Sequence, residues 1–239
     1  HGGGEGGTAA DVPKTDPKIV MLANEAANLA KADFQAKVGG ANVLIPQCPT
    51  MWMDEDGSGE YPGDAARGTS FYTASLKELI DACAETTGST KVILTGCSNG
   101  GFMSLLMALT YPDAYNGIVP ICEALPDRVI TDSSLRAIKD LPMFFIWSDD
   151  DDTVVPDNHE IPTIARLEGM GASNLHVSTT EHVTDTSGLY KDEEGNPYQY
   201  MGHWSWIYFD NDEAVCNFHD GETAWDFIAA IAADRKSVV

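Results

Sequence analysis

The sequence predicts an α/β fold in which a mostly parallel β-sheet is covered by helices on both faces. Short runs of β-branched and aliphatic residues alternate with segments whose apolar residues recur at helical spacing. The runs at residues 117–121 and 143–147 are almost entirely apolar, which is typical of strands buried on both faces of a parallel sheet. A chain of 239 residues is long enough for one such unit, so we predict a single domain over residues 1–239.

The predicted elements follow one another along the whole chain. An Ala-rich segment at residues 19–37 favours one helix or a pair of short ones. A short strand is predicted at residues 42–46, and the Gly, Pro and Asp content of residues 47–64 indicates a loop. Later strands are predicted at residues 92–94, 117–121, 143–147 and 174–179, and later helices at residues 76–83, 102–109, 161–170 and 223–233.

Charge and cysteine content exclude several classes of partner. The 37 acidic and 14 basic residues give a formal net charge of −23, so we expect no nucleic-acid partner and no binding to anionic membrane surfaces. No apolar run approaches the length of a membrane span. The five cysteines lack C-x-x-C spacing, so we expect neither a zinc site nor a dense disulfide framework. No cofactor is expected. Cys97 is predicted to be buried, with a bridge to Cys122 as the alternative.

The stretch KVILTGCSNGGFMSLLMAL, residues 91–109, changes from a strand pattern to a helix pattern within a few residues. Gly96, Gly100 and Gly101 surround this change, and glycine allows both positive φ angles and close approach of the backbone. The segment GCSNG matches G-x-S-x-G, the nucleophile elbow, in which a serine projects from a strained turn between a strand and a helix. Ser98 is therefore the candidate nucleophile.

A serine nucleophile needs a base, and the base needs a carboxylate that holds it. In a parallel sheet these groups are expected just beyond the carboxyl ends of strands. Asp152, in the segment DDTVVP after a strand-like run, is the predicted acid, and Asp151 and Glu123 are alternatives. Of the six histidines, His203 in the late segment GHWSW is the predicted base, and His182 is the alternative.

The opening segment HGGG supplies candidates for an oxyanion hole. The backbone N–H groups of Gly3 and Gly4 would act together with the N–H of Asn99, the residue after the candidate nucleophile. By itself the segment is equally typical of a flexible Gly-rich terminus. Met51 and Trp52 follow a predicted strand, so they are candidates either to line a substrate pocket or to cover the sheet.

Five segments together resemble a known group of proteins: HGGGEGG, PQCPTMWMD, GCSNGGFMSL, DDTVVP and GHWSW. They resemble α/β-hydrolase esterases and predicted peptidases related to polyhydroxybutyrate depolymerases, feruloyl esterases and prolyl-oligopeptidase catalytic domains. The resemblance spans nearly the whole chain. It implies the α/β-hydrolase fold, a triad of Ser98, Asp152 and His203, an oxyanion hole from Asn99 with Gly3 or Gly4, and no metal.

The resemblance also implies strands before the HGGG segment. The sequence has no such strands, so we expect further sequence upstream of residue 1. The resemblance alone favours a secreted or cell-envelope location, and the residues themselves leave the location unknown.

The activity implied by the resemblance is hydrolysis of carboxylic esters through an acyl-enzyme, on a small-molecule or polymer-linked substrate. The alternatives are a serine peptidase of the prolyl-oligopeptidase type and a non-catalytic binding module that keeps the fold. A calcium loop in DEDGSGEYPGD is a weaker alternative, because Ala65 stands where a bidentate Glu is needed. Acyl specificity and oligomeric state are not indicated.

Overall fold

The computed structural model describes residues 1–7 and 17–233. Its centre is a parallel sheet of four strands, which lie side by side in chain order. The strands are β1 (Ile93–Cys97), β2 (Gly117–Ile121), β3 (Met143–Ser148) and β4 (Leu175–Thr180). In register, Cys97 of β1 lies beside Ile121 of β2, and Ile121 lies beside Ile146 of β3. The carboxyl ends of the strands therefore meet at one edge of the sheet.

Helices cover both faces of the sheet. They are α1 (Pro17–Leu22), α2 (Ala32–Val38), α3 (Thr73–Thr87), α4 (Asn99–Thr110), α5 (Asp132–Ile138), α6 (Glu160–Gly169), α7 (Trp206–Asp210) and α8 (Ala224–Ala233). The apolar core is split by the sheet: α3, α4, α5 and α6 pack on one face, and α2, α7 and α8 pack on the other. No helix in residues 17–233 is long and apolar enough to cross a membrane.

The side chains of β3 alternate between the two covered faces of the sheet, which explains why the strand is apolar along its whole length. Phe145 and Trp147 belong to the core under α3 to α6, whereas Phe144 and Ile146 belong to the core under α2, α7 and α8. Successive strand residues point to opposite faces, so a strand with both faces covered has no polar side. All six residues of β3 are buried. The predicted α/β fold is confirmed in this respect.

The predicted strand at residues 42–46 is wrong. These residues form no regular secondary structure, and the side chains of Val43 and Leu44 are 37% and 43% exposed. A strand needs a neighbour for its backbone hydrogen bonds, and within the described residues β1 is the edge strand on this side of the sheet. A groove of about 1300 Å³ lies between residues 40–46 and β1. No strand precedes β1 in the described ranges.

The Ala-rich segment at residues 19–37 is divided into pieces. A 3₁₀ segment, Ala23–Ala30, separates α1 from α2. Two backbone conformations interrupt the α-helical path: Glu25 has a positive φ of 57°, and Lys31 is extended, with ψ of 159°. The prediction of more than one short helix is the alternative that the structure supports.

Candidate active site

Ser98 occupies a strained turn between β1 and α4. Its φ of 56° and ψ of −118° are unusual for a residue with a side chain. Glycines make the turn possible: a Cβ on Gly96 would lie 2.6 Å from the carbonyl carbon of Gly100, and one on Gly101 would lie 2.7 Å from the carbonyl oxygen of Ile121. The N–H of Ser98 donates to the same oxygen of Ile121 at 2.9 Å. This geometry is that of a nucleophile elbow.

His203 is paired with an aspartate beyond the end of β3. Its Nδ1 lies 2.7 Å from Oδ2 of Asp151, and both side chains are buried. The other oxygen of Asp151, Oδ1, accepts hydrogen bonds of 2.9 Å from the N–H groups of Thr153 and Val154. The carboxylate is thereby fixed in orientation, and it can hold the imidazole with its proton on Nδ1. The Nε2 of His203 is then free to act as a base.

The carboxylate that contacts His203 is Asp151, one position before the predicted Asp152. Asp152 is exposed to solvent, and the described part of the chain shows no hydrogen bond between Asp152 and His203. Asp151 takes that place because its side chain turns inward and caps the backbone of the following turn. Asp151 was the alternative named next to Asp152.

The segment that contains His203 packs closely against the turn that contains Asp150 and Asp151. A Cβ on Gly202 would lie 2.6 Å from the carbonyl carbon of Asp150, so only glycine fits at that position. The ring of Trp206 meets the His203 ring edge-on at 5.8 Å. A ring nitrogen of His203, an oxygen of Asp151 and the sulfur of Cys122 lie within 4.8 Å of one another. Cys122 follows Ile121, which accepts the Ser98 N–H, so the elbow and the His–Asp pair are at the same end of the sheet.

The alternative catalytic residues have other partners. Nδ1 of His182 lies 2.8 Å from Oδ2 of Asp150 at the exposed rim, and this hydrogen bond raises the pKa of His182. Oε2 of Glu123 accepts from the N–H of Leu125. Burial raises the pKa of Glu123 to about 8, which favours the neutral form of this carboxyl.

The HGGG segment is tied to the elbow through Asn99. The Asn99 side chain donates to the carbonyl oxygen of His1 at 3.1 Å and accepts from the N–H of Met53 at 3.0 Å. His1 in turn accepts from the N–H of Cys48 at 3.1 Å. A buried amide side chain thus holds the opening segment, the loop after residue 48 and the start of α4 together. The predicted role of the Asn99 backbone N–H in an oxyanion hole stays a prediction.

Gly3 and Gly4 lie beside Met51 rather than beside Trp52. These three residues share a cavity of about 310 Å³, and a Cβ on either glycine would meet open space. Trp52 is only 4% exposed, and its ring packs against His1 at 5.0 Å and against Tyr72 at 6.1 Å. Trp52 therefore packs against His1 and borders the groove beside β1, whereas Met51 lines the smaller cavity.

The loop at residues 54–64 is organised by hydrogen bonds to the Asp54 carboxylate. Asp54 is fully buried and accepts from the hydroxyl of Thr50 at 2.7 Å and from the N–H groups of Gly57 and Gly59 at 2.7 and 2.9 Å. These donors use both oxygens of Asp54. The side chain therefore shapes the loop through its own backbone.

All five cysteines are free. Cys97 is buried, as predicted, and burial raises the pKa of its thiol to about 12. A thiol with this pKa is protonated at neutral pH, so Cys97 is not a nucleophile. The alternative of a bridge between Cys97 and Cys122 is wrong.

Comparison with family models identifies the family of this chain. The model of an α/β-hydrolase family described as phospholipase/carboxylesterase matches residues 24–189, more than half of the chain. The chain belongs to this family. The family match includes the elbow at Ser98 and the turn at Asp151, and it ends before His203. Family membership supports ester hydrolysis as the class of reaction.

Two relatives add detail to the family assignment. Poly(3-hydroxyalkanoate) depolymerase C of Paucimonas lemoignei is 28% identical over 168 residues, which are 57% of this chain and 39% of that protein. A crystal structure of a thermostable esterase superposes with a TM-score of 0.63 at 19% identity, covering 89% of this chain and 50% of that one. The similarity to the esterase structure shows the α/β-hydrolase fold. This chain spans half the length of these relatives or less.

Proposed function

We propose that this protein hydrolyses carboxylic esters through Ser98, His203 and Asp151. The observation that supports this best is the 2.7 Å contact between His203 and a buried, doubly anchored Asp151, at the sheet edge where the elbow presents Ser98. A serine on a strained turn, an imidazole held by a carboxylate and a family of carboxylesterases all favour the same chemistry.

In the proposed mechanism, Nε2 of His203 takes the proton of Ser98 as its oxygen attacks the ester carbonyl. Asp151 holds Nδ1–H and stabilises the imidazolium that forms. The N–H of Asn99 and the backbone of Gly3 or Gly4 bind the oxyanion of the tetrahedral intermediate. His203 then protonates the departing alcohol, and an acyl-enzyme remains. Water then attacks the acyl-enzyme in the same way, with His203 as the base. This step releases the carboxylic acid and restores Ser98.

Fluorophosphonate labelling tests the activated serine directly. We expect the wild-type protein to gain one adduct by intact mass and the Ser98→Ala variant to gain none. Ser104 provides the matched control, because it lies one turn along α4, where its hydroxyl donates to the carbonyl of Gly100. Ser104→Ala should label like the wild type. Labelling of Ser98→Ala, or no labelling of folded wild type, would contradict the proposal.

We further propose that the substrate is polymer-linked, a poly(3-hydroxyalkanoate)-type ester rather than only a small soluble one. The relative named above is a depolymerase of such a polymer. Next to His203, the chain also exposes apolar side chains that a polyester surface could contact: Tyr198, Met201 and Trp204 are 47%, 52% and 39% exposed. Trp204 is backed by the stacked ring of Tyr200 at 5.9 Å, so it is held in place.

Trp204→Ala tests this substrate proposal. We expect the rate of hydrolysis of polyester particles to fall about tenfold. The reason is that the loss of a partly buried contact between the Trp204 ring and the polymer weakens binding by about 1.4 kcal/mol. Hydrolysis of a short p-nitrophenyl ester should change less than about twofold. The control is Leu79→Ala, which removes a similarly exposed apolar side chain from α3. Equal losses on both substrates would contradict a polymer-binding role for Trp204.

A further inference from the structure

Four potential metal ligands meet at the end of the sheet opposite to Ser98. They are His176, Cys216, His219 and Glu222, and one ligand atom from each lies within 4.8 Å of the others. His176 is near the start of β4, where it pairs with Phe144 near the start of β3. The catalytic turn follows the far end of β3, about 16 Å away at the usual rise per strand residue. The proposed ester chemistry does not use this cluster.

The backbone holds the cluster in place. Three of the four ligands come from one turn with the spacing C-x-x-H-x-x-E. The N–H of Cys216 donates to the carbonyl of Glu222 at 2.8 Å, which closes the turn. The N–H of Asn217 donates to the carbonyl of Val177 at 2.7 Å, which fixes the turn against β4 beside His176.

Two atoms in the cluster lack the hydrogen bonds that burial demands. Nδ1 of His176 and Oε2 of Glu222 are both buried and form an ion pair at 2.9 Å whose hydrogen-bond geometry is poor, and neither atom has another hydrogen-bond partner in the described structure. Buried polar atoms without a partner are costly. Ligands of one zinc ion at bond lengths of about 2.0–2.3 Å lie about 3.2–3.7 Å apart, slightly farther than these two atoms. A cation between them would therefore require a small outward movement of the side chains and would give both atoms a partner.

We propose that His176, Cys216, His219 and Glu222 form a structural zinc site. Two imidazoles, a thiolate and a carboxylate provide the nitrogen, sulfur and oxygen donors that Zn²⁺ takes in tetrahedral sites. The two negative ligands balance the charge of the ion, so the filled site is neutral within a partly buried region. With four protein ligands the site is closed, and the ion would join β4 to the turn that leads into α8. Paired cysteines are the usual sequence signal for zinc, and this set contains a single cysteine, so the sequence predicts no metal here.

Cobalt is the probe for the test, because Co²⁺ occupies zinc sites and reports a thiolate ligand by absorption. The protein is first treated with a chelator and then titrated with Co²⁺. We expect one equivalent to produce a thiolate-to-cobalt charge-transfer band together with the intense visible bands of tetrahedral Co²⁺. Zn²⁺ should abolish these bands at one equivalent. The wild-type measurement does not depend on the folding of any variant.

Two cysteine variants test whether the metal binds at the proposed residues. Cys216→Ser should lose the charge-transfer band and weaken Zn²⁺ binding by about 100-fold. Cys83→Ser, which removes a cysteine from α3, should keep both. Zn²⁺ at 100 times its Kd should raise the Tm of the wild type by about 5–10 °C, without a change in hydrolysis of a short ester. The proposal is overturned if wild type gives no charge-transfer band, or if the band persists in Cys216→Ser; the first result would leave a His–Glu contact without metal.

Discussion

Ser98→Ala is expected to lower kcat/KM for a short p-nitrophenyl ester by about 10⁶-fold, because removal of the nucleophile leaves only substrate binding and oxyanion stabilisation. The reason is local to the elbow. Ser98 is presented by a strained backbone that the surrounding glycines allow, and within the described site no other residue occupies this position. Cys97 next to it cannot substitute, because its thiol is buried and protonated.

The measurement is steady-state hydrolysis across a range of ester concentrations. Ser104→Ala should stay within a few-fold of the wild type, since the Ser104 hydroxyl bonds only to its own helix. Circular dichroism and Tm should be the same for the two variants and the wild type within a few degrees. An active Ser98→Ala protein, free of contaminating esterase, would show that the nucleophile lies elsewhere.

Asp151→Asn is expected to lower kcat/KM by about 10³- to 10⁴-fold, whereas Asp152→Asn should change it less than about threefold. The carbonyl oxygen of the new amide would keep the hydrogen bonds from Thr153 and Val154. Its NH₂ group would then face Nδ1 of His203. An NH₂ donor favours the tautomer with the proton on Nε2, and that tautomer cannot accept the Ser98 proton.

The two substitutions form a matched pair. They remove the same charge at neighbouring positions, one buried against His203 and the other exposed to solvent. Any general effect of charge on substrate attraction therefore appears in both variants. Equal losses in the pair, or a larger loss for Asp152→Asn, would contradict the assignment of Asp151.

The elements with a clear pattern of apolar residues were predictable from the sequence. The strands at residues 117–121 and 143–147 are continuously apolar because helices cover both of their faces. The segment at residues 42–46 has the same composition and is not a strand, since a strand also depends on a hydrogen-bonding neighbour that local composition does not specify. Short helices such as α7 were missed because five residues are too few to show a period.

The candidate site was predictable only where it depends on local structure. The elbow is a local structure, and G-x-S-x-G between a strand and a helix specifies it within a few residues. The run SDDDD contains four aspartates with equal chemistry, and the turn that follows decides which one points inward. For Trp52 the sequence left two roles open, and its packing against His1 is a contact between residues far apart in the chain.

The sequence by itself therefore determined the α/β fold class, the strained position of Ser98, and the order of Ser98, the run of aspartates and His203 along the chain. Only the tertiary structure decided that Asp151 contacts His203, that Asn99 ties down the HGGG segment, and that His176 meets a turn forty residues further along. The physical reason is the range of the interactions. Backbone conformation follows from neighbouring residues, whereas contacts between distant side chains depend on strand register and on how each loop closes over the sheet.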